Sequence, residues 1–308
     1  MADESCYSGS GHWRRRKPMG GDQLSSIVTL TGTSTPTPNP IRAGAGVLVQ
    51  TGGMNLQFDA GRATVMRLAA IEIRPLALDA VFLTHHHSDH LQGLDDLVMA
   101  RWISGSLERS VIDTRLAVVA PDGPLADILE HLLDPWREDF KVRKLDMGGD
   151  TEPALNTTLF DAARTLEVVW EQGDVRVLAM RVQHDPVVPS VGYRVESPDG
   201  VVAVTGDTSV CEEVGVLAQD ADILVHEAML SEAVLGSTRE SVMHYHSDSV
   251  GIGETAKAAG VKSLILTHLI PAPEQFEYGV ECYEAAIRSG GYDGPLVVGE
   301  DLSSVEYG

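Results

Sequence analysis

One short cluster at the end of an apolar run constrains this chain more than any other feature. The run Ala80–Leu83 has the length and composition of a buried strand, and His85, His87, Asp89 and His90 follow it closely. Imidazole and carboxylate groups are good ligands for Zn²⁺ and similar ions, and a strand-end loop can turn several of them inward together. Burying four such groups without a metal would be costly. The sequence therefore predicts a metal site here.

Four later runs of strand-like composition also end in residues that can bind metal or move protons. They are Val175–Val182, leading to His184; Val201–Val204, leading to Asp207; Ile223–Val225, leading to His226 and Glu227; and Leu264–Leu266, leading to His268. Because residues at strand ends converge on one edge of a packed sheet, we expect these side chains to lie together. Taken singly, His184 could be a surface residue and Asp207 a turn former.

The first cluster reads His-x-His-x-Asp-His, and this spacing resembles the hallmark of the metallo-β-lactamase superfamily. The later motifs follow in the expected order, and the resemblance extends from Ile27 to the C-terminus. It implies an α/β fold, the four-layer αββα sandwich, for a hydrolase domain at residues 25–308. His86 stands at a variable position of the motif and is interpreted as a neighbour of the metal site, not as a ligand.

The resemblance also implies a ligand set for two divalent metal ions, with Zn²⁺ as the expected metal. One ion would be held by His85, His87, His184 and Asp207, and the other by Asp89, His90, Asp207 and His268. Asp89 is in addition predicted to take part in catalysis. A hydroxide between two such ions is a strong nucleophile at neutral pH, so the predicted reaction class is hydrolysis.

Two further motifs bear on which bond is hydrolysed. His226-Glu227-Ala228-Met229 and His244-Tyr245-His246-Ser247 resemble the His-Glu-Ala-Thr and Gly-His-Ser-Thr segments of ribonuclease Z-type proteins. The resemblance implies that His246 protonates the leaving oxygen and that Glu227 orients it, which would support phosphodiester hydrolysis. His246 is preferred over His244 because serine follows it. The alternative, a purely structural pair of Glu227 and His246, stays open.

Size and charge favour a small substrate. In ribonuclease Z a long Gly-rich arm that grips tRNA precedes the bridging aspartate, but here the interval from His184 is only 207 − 184 = 23 residues. The formal net charge of −22 should also repel nucleic acid at long range. We therefore expect small or nucleotide-derived phosphodiesters as substrates, and not tRNA. The rivals are an arylsulfatase-like esterase, suggested by Pro38–Ala43, a lactonase or β-lactamase-like hydrolase, and a non-enzymatic scaffold.

The remaining composition bears on the cellular setting. Residues 1–24 are polar and rich in Gly and Ser, which predicts a disordered leader. The three scattered cysteines, Cys6, Cys211 and Cys282, fit a reducing compartment better than a disulfide framework. No apolar run approaches the ~20 residues that cross a bilayer. The sequence thus predicts a cytoplasmic protein with no membrane partner, and related proteins suggest a homodimer.

Two segments near the predicted site carry alternative interpretations. The stretch Asp59–Ile73 is predicted to be a helix, in which Asp59 could be the N-cap. The resemblance instead places this aspartate beneath the loop His85–His90, here called the metal loop. Residues 136–161 show little periodicity, which suggests an ordered insertion beside the substrate cleft. Its aromatic residues, Trp136, Phe140 and Phe160, are either cleft walls or local core, and local core is the commoner role.

Overall fold

The computed structural model describes residues 26–108, 113–147, 151–275 and 278–308, so the predicted leader lies outside the described residues. The strands are, in chain order, β1 (Ser26–Gly32), β2 (Gly46–Thr51), β3 (Met54–Phe58), β4 (Ala80–Phe82), β5 (Leu116–Pro121), β6 (Leu155–Phe160), β7 (Glu167–Gln172), β8 (Val175–Arg181), β9 (Val191–Ser197), β10 (Gly200–Val204), β11 (Ile223–Met229), β12 (Ser263–Ile270), β13 (Leu296–Val298) and β14 (Ser304–Tyr307). The α-helices are α1 (Thr64–Ala70), α2 (Leu94–Leu107), α3 (Pro124–His131), α4 (Arg137–Met147), α5 (Glu212–Leu217), α6 (Ser231–Val234), α7 (Ser249–Ala258) and α8 (Val280–Ser289).

The strands form two mixed sheets. Apolar residues at alternate strand positions let these sheets pack face to face. The first sheet has the strand order β14-β1-β2-β3-β4-β5-β6, and the second has the order β13-β12-β11-β10-β9-β8-β7. Between them lies an apolar core in which the rings of Phe58, Phe82 and Tyr193 meet with centroids 4.9 to 5.6 Å apart. Each fully buried ring of this size contributes roughly 1.5–3 kcal/mol, so this interface holds the two halves of the fold together.

Helices cover the outer face of each sheet. Leucines of α2 and α3 pack with Leu68 of α1 in a core outside the first sheet, and residues of α5, α7 and α8 form a matching core outside the second. The predicted four-layer αββα sandwich is therefore confirmed. None of the helices in the described ranges is long and apolar enough to cross a membrane.

Strand directions bring the chemistry to one edge. Strands β10, β11 and β12 are parallel, and β8 runs in the same direction because β9 is antiparallel to both β8 and β10. The carboxyl ends of all four strands therefore meet at the same edge of the second sheet. The short buried strand β4 delivers the first cluster to that edge from the other sheet, where His87 and His184 come together.

Residues 136–161 depart from the sequence prediction. The segment contains α4 and the edge strand β6 of the first sheet, two regular elements that the sequence pattern did not indicate. Its helix is covered by ion pairs such as Glu138 with Lys141, which leave hardly any apolar periodicity to read. Phe140 packs on Trp102, and Phe160 lies against the core between the sheets. Both aromatic residues are thus local core, whereas Trp136 is 43% exposed and donates to Asp95.

Candidate metal centre

The first group of predicted ligands surrounds one small volume. The ligand atoms of His85, His87, His184 and Asp207 all lie within 4.8 Å of one another. His184 Nε2 is 3.3 Å from His87 Nδ1, and Asp207 Oδ2 is 3.8 Å from Nε2 of both His85 and His184. These four side chains come from both sheets, so the site forms only when the sandwich closes.

The second group adjoins the first. Nε2 of His268 lies 3.2 Å from Oδ2 of Asp89 and 3.6 Å from Oδ2 of Asp207. Nε2 of His90 is 3.4 Å from the same Asp207 oxygen, which thus faces both groups. The structure therefore brings all seven predicted ligand residues together, with Asp207 between the two groups as a bridging residue would be.

Several polar atoms of these groups fit a bound cation. Nε2 of His85, Nε2 of His90 and Oδ1 of Asp207 are buried and have no hydrogen-bond partner in the described part of the chain. Buried polar atoms without partners are rare, because each forfeits its hydration. Imidazole nitrogens and carboxylate oxygens in sets of three and four are also the donors that Zn²⁺ and similar ions prefer.

The pKa values of the first-group histidines favour metal binding. Burial, with help from the neighbouring His184, lowers the pKa of His87 to about 4, and burial lowers the pKa of His85 well below its usual value. Both rings are therefore neutral at pH 7 and present a free lone pair. At His90 burial acts in the same direction, but the carboxylates of Asp207 and Asp59 outweigh it and raise the pKa.

Asp59 supports the metal loop from below. Its carboxylate accepts hydrogen bonds from the Thr84 backbone N–H at 2.8 Å, from the Thr84 hydroxyl at 2.8 Å and from His90 Nδ1 at 2.7 Å. The Thr84 oxygen lies 2.9 Å from His85 Nδ1, so both rings turn Nε2 toward the site. The N-cap of α1 is Ala63, not Asp59, so the N-cap interpretation is wrong and the position beneath the loop is confirmed.

Two glycines allow the backbone to approach this closely. A Cβ on Gly61 would lie 2.2 Å from the carbonyl oxygen of Asp89, so only glycine fits under the loop. Gly206 has a φ of +63°, and its Cβ would lie 2.8 Å from the Thr84 side chain. Neither role is predicted from the sequence, although the glycines stand in Asp-x-Gly and Gly-Asp sequences beside predicted site residues.

His246 and Glu227 form a buried pair beside the two groups. Glu227 Oε1 accepts from His246 Nδ1 at 3.0 Å, and the backbone N–H groups of Ser247 and Thr208 donate to the same oxygen at 3.0 and 3.3 Å. Burial opposes protonation of the imidazole, but the Glu227 carboxylate outweighs it and raises the pKa of His246 to about 9. The rejected candidate, His244, is exposed.

The pair faces the metal groups. A ring nitrogen of His246 lies within 4.8 Å of ligand atoms of Asp207 and His268, and the rings of His246 and His268 are 5.5 Å apart. Glu227 and His268 lie within β11 and β12, not beyond them as the sequence suggested, because both strands continue past their apolar runs. A bulge after Glu227 and a φ of +46° at His268 adjust the strands here.

Comparisons with known proteins agree with this geometry. The family model described as "Beta-lactamase superfamily domain" matches residues 55–269. Two similar relatives are "Ribonuclease Z" of Mycobacterium bovis (strain BCG / Pasteur 1173P2), 32% identical, and "Ribonuclease Z" of Mycobacterium sp. (strain KMS), 34% identical. Each match covers 91% of this chain, and it covers 97% and 95% of the respective relatives.

Solved structures share the fold. The metallo-β-lactamase fold protein YhfI from Bacillus subtilis has a TM-score of 0.67 at 22% identity, over 92% of this chain and 99% of that protein. The short form of human tRNase Z has the same TM-score and identity, over 91% and 98% of the two chains. Together with the family match and the relatives, these likenesses show that the chain belongs to the metallo-β-lactamase superfamily, as a ribonuclease Z-like member.

Proposed function

We propose that this protein is a metal-dependent phosphodiesterase that holds two divalent ions, of which Zn²⁺ is the expected metal. The observation that carries the proposal is that two adjoining ligand groups lie directly beside a buried His–Glu pair. Seven residues would hold the ions: His85, His87, Asp89, His90, His184, Asp207 and His268. When bound, the ions would lower the pKa of a water molecule and polarise a phosphoryl oxygen.

The remaining residues handle protons. Glu227 fixes the Nδ1–H of His246, so that the other ring nitrogen faces the cleft and can protonate the oxygen of a departing alcohol. Because Glu227 raises the pKa of His246, the imidazole stays protonated at neutral pH. Nearby cations would lower this pKa toward the pH at which the enzyme works. Asp89, 3.2 Å from His268, offers a carboxylate that can orient an entering water.

Replacement of His246 by alanine tests this assignment. We expect His246→Ala to retain both metals and to lose on the order of 10²–10⁴-fold in rate on diesters with alkyl alkoxide leaving groups. The loss should be small with nitrophenolate, which departs without a proton. Glu227→Gln should show the same pattern more weakly. Rates are measured across leaving groups of graded pKa, with bound metal determined in each variant.

His244→Ala is the matched control, because His244 is an exposed histidine two residues away. It should behave like the unchanged protein on every substrate. If His246→Ala lowers thermal stability and slows all substrates by one factor, the pair is structural and the general-acid assignment is wrong.

Cleavage of precursor tRNA is the second candidate function. Its support is the similarity to proteins named ribonuclease Z, which match this chain over nearly their whole length. The short interval between His184 and Asp207, which is filled by β9 and β10, therefore does not by itself separate the chain from these relatives. The net charge of −22 remains the argument for a small substrate.

A small diester and precursor tRNA can be compared directly as substrates in one preparation of metal-loaded protein. We expect hydrolysis of bis(p-nitrophenyl) phosphate and no site-specific cleavage of precursor tRNA at physiological salt. Because like charges repel over a Debye length of about 8 Å under those conditions, the rate on the anionic diester should rise with added salt. Efficient cutting of precursor tRNA at one position would instead establish the second function and a recognition surface on this acidic chain.

A further inference from the structure

Tyr245 covers two histidines at the rim of the site. Its ring lies 5.4 Å from the ring of His184 at 80° and 4.9 Å from the ring of His246 at 52°, measured between centroids. His184 is 1% exposed and His246 is 8% exposed, whereas Tyr245 is partly exposed. The more exposed tyrosine ring therefore packs against two buried histidines of the site. It is an aromatic surface at the border of the cleft.

The main chain fixes the ring on a defined side of the site. The carbonyl oxygen of Tyr245 accepts a hydrogen bond from His184 Nδ1 at 2.8 Å, and the next residue is the proposed general acid, His246. His87, whose ring centroid is 5.1 Å from that of His184, is also partly exposed, so solvent reaches the site beside these residues. Tyr245 thus stands beside the proposed general acid.

We propose that Tyr245 determines specificity by stacking on a planar ring of the leaving group, either an aryl group or a nucleobase. The inference rests on the proposed function, because it places the leaving group beside His246. Stacking suits a chain with a net charge of −22, since it adds affinity without requiring a cationic side chain. Glycine, which precedes the histidine in the Gly-His-Ser-Thr segments that this motif resembles, could not provide such a contact.

Two diesters with leaving groups of matched pKa isolate the contact. Methyl para-chlorophenyl phosphate has a planar leaving group, and methyl hexafluoroisopropyl phosphate has a bulky leaving group without a ring. We expect Tyr245→Leu, which keeps an apolar side chain over His184, to lower kcat/KM for the aryl ester by about tenfold, as loss of one aromatic stack does. The aliphatic ester should be nearly unaffected, and Tyr245→Phe should retain the preference for the aryl ester.

The outcomes separate this inference from the proposed function. Bound metal is measured in each variant. It should not change, because the hydrogen bond from His184 to the backbone carbonyl of residue 245 should survive both substitutions. If Tyr245→Leu slows both esters equally or neither, or if it releases metal, the ring has a packing role and the inference is wrong. If the unchanged protein hydrolyses neither ester, the proposed function fails and the inference fails with it.

Discussion

At the scale of single residues, the atoms proposed to bind metal are oriented by residues outside the proposed ligand set. Thr84 is hydrogen-bonded to Nδ1 of His85, and Asp59 to Nδ1 of His90. The Tyr245 carbonyl accepts a hydrogen bond from Nδ1 of His184. Each bond selects one ring orientation and leaves the opposite nitrogen free to bind an ion. The affinity of the centre should therefore depend on residues that never touch the metal.

Asp59→Asn tests this dependence. The amide offers one acceptor oxygen in place of two, so it cannot serve both the Thr84 donors and His90. We expect a 10–100-fold weaker affinity for the ion nearest His90, measured by titrating Zn²⁺ into metal-free protein. Asp79→Asn is the control, because Asp79 accepts a hydrogen bond from the Asn55 backbone N–H and, among the described residues, none from the metal loop. Equal affinities in both variants would rule out the supporting role.

The proposed metal ligands could be recognised in the sequence, whereas the residues that support them could not. His85, His87, Asp89 and His90 stand within six residues, so their spacing alone indicates a shared site. Asp59 is 31 residues before its partner His90, and it has the same local signals as a helix N-cap. Besides His246, the donors to Glu227 are two backbone N–H groups, which carry no residue-type signal at all.

At the scale of elements, the apolar runs predicted the strands well and the polar segments poorly. Strands β8 and β10 are found close to where the sequence placed them because alternate residues fill the core between the sheets. Helix α1 is shorter than predicted because Asp59, with a φ of +54°, does not begin a helical turn. Its side chain supports the metal loop instead. In α4, ion pairs replaced the apolar pattern that the prediction needed.

A second contact between the sheets lies at the end opposite the metal loop. Oδ2 of Asp199, in the turn between β9 and β10, accepts from the Ser26 hydroxyl at 2.7 Å and from the Gly52 N–H at 2.9 Å. These donors belong to the first sheet, and their hydrogen bonds lower the pKa of Asp199. A carboxyl whose pKa is lower in the folded state stabilises the fold above its unfolded pKa, and the gain is lost as the pH falls through the folded pKa.

We therefore expect Asp199→Asn to lower the urea midpoint at pH 7 and to match the unchanged protein in acid, where Asp199 is protonated. Urea titrations across a pH series measure both effects. Asp174→Asn, in the exposed turn between β7 and β8, changes the charge equally and should leave the midpoint nearly constant. A deficit that persists unchanged into acid would show that the ionised carboxylate is not the stabilising group.

At the scale of the whole molecule, the sandwich explains why one site draws on distant parts of the chain. The ligands from His85 to His268 come from both sheets and meet only where the carboxyl ends of four strands face the end of β4. Closing the core and assembling the centre are therefore one event, and metal binding should stabilise the entire fold. The recurrence of candidate site residues at strand ends predicted this convergence. The distances between their side chains, however, depend on how the two sheets pack.

Metal stoichiometry is the most direct test of the account. Metal-free protein is titrated with Zn²⁺ while bound metal and hydrolysis of bis(p-nitrophenyl) phosphate are followed together. We predict uptake of about two ions per chain, with activity rising to a plateau at the second equivalent. Asp207→Ala should lower both occupancy and rate, because this residue faces both ligand groups. Failure to bind any divalent metal, or full activity in metal-free protein, would contradict the central claim.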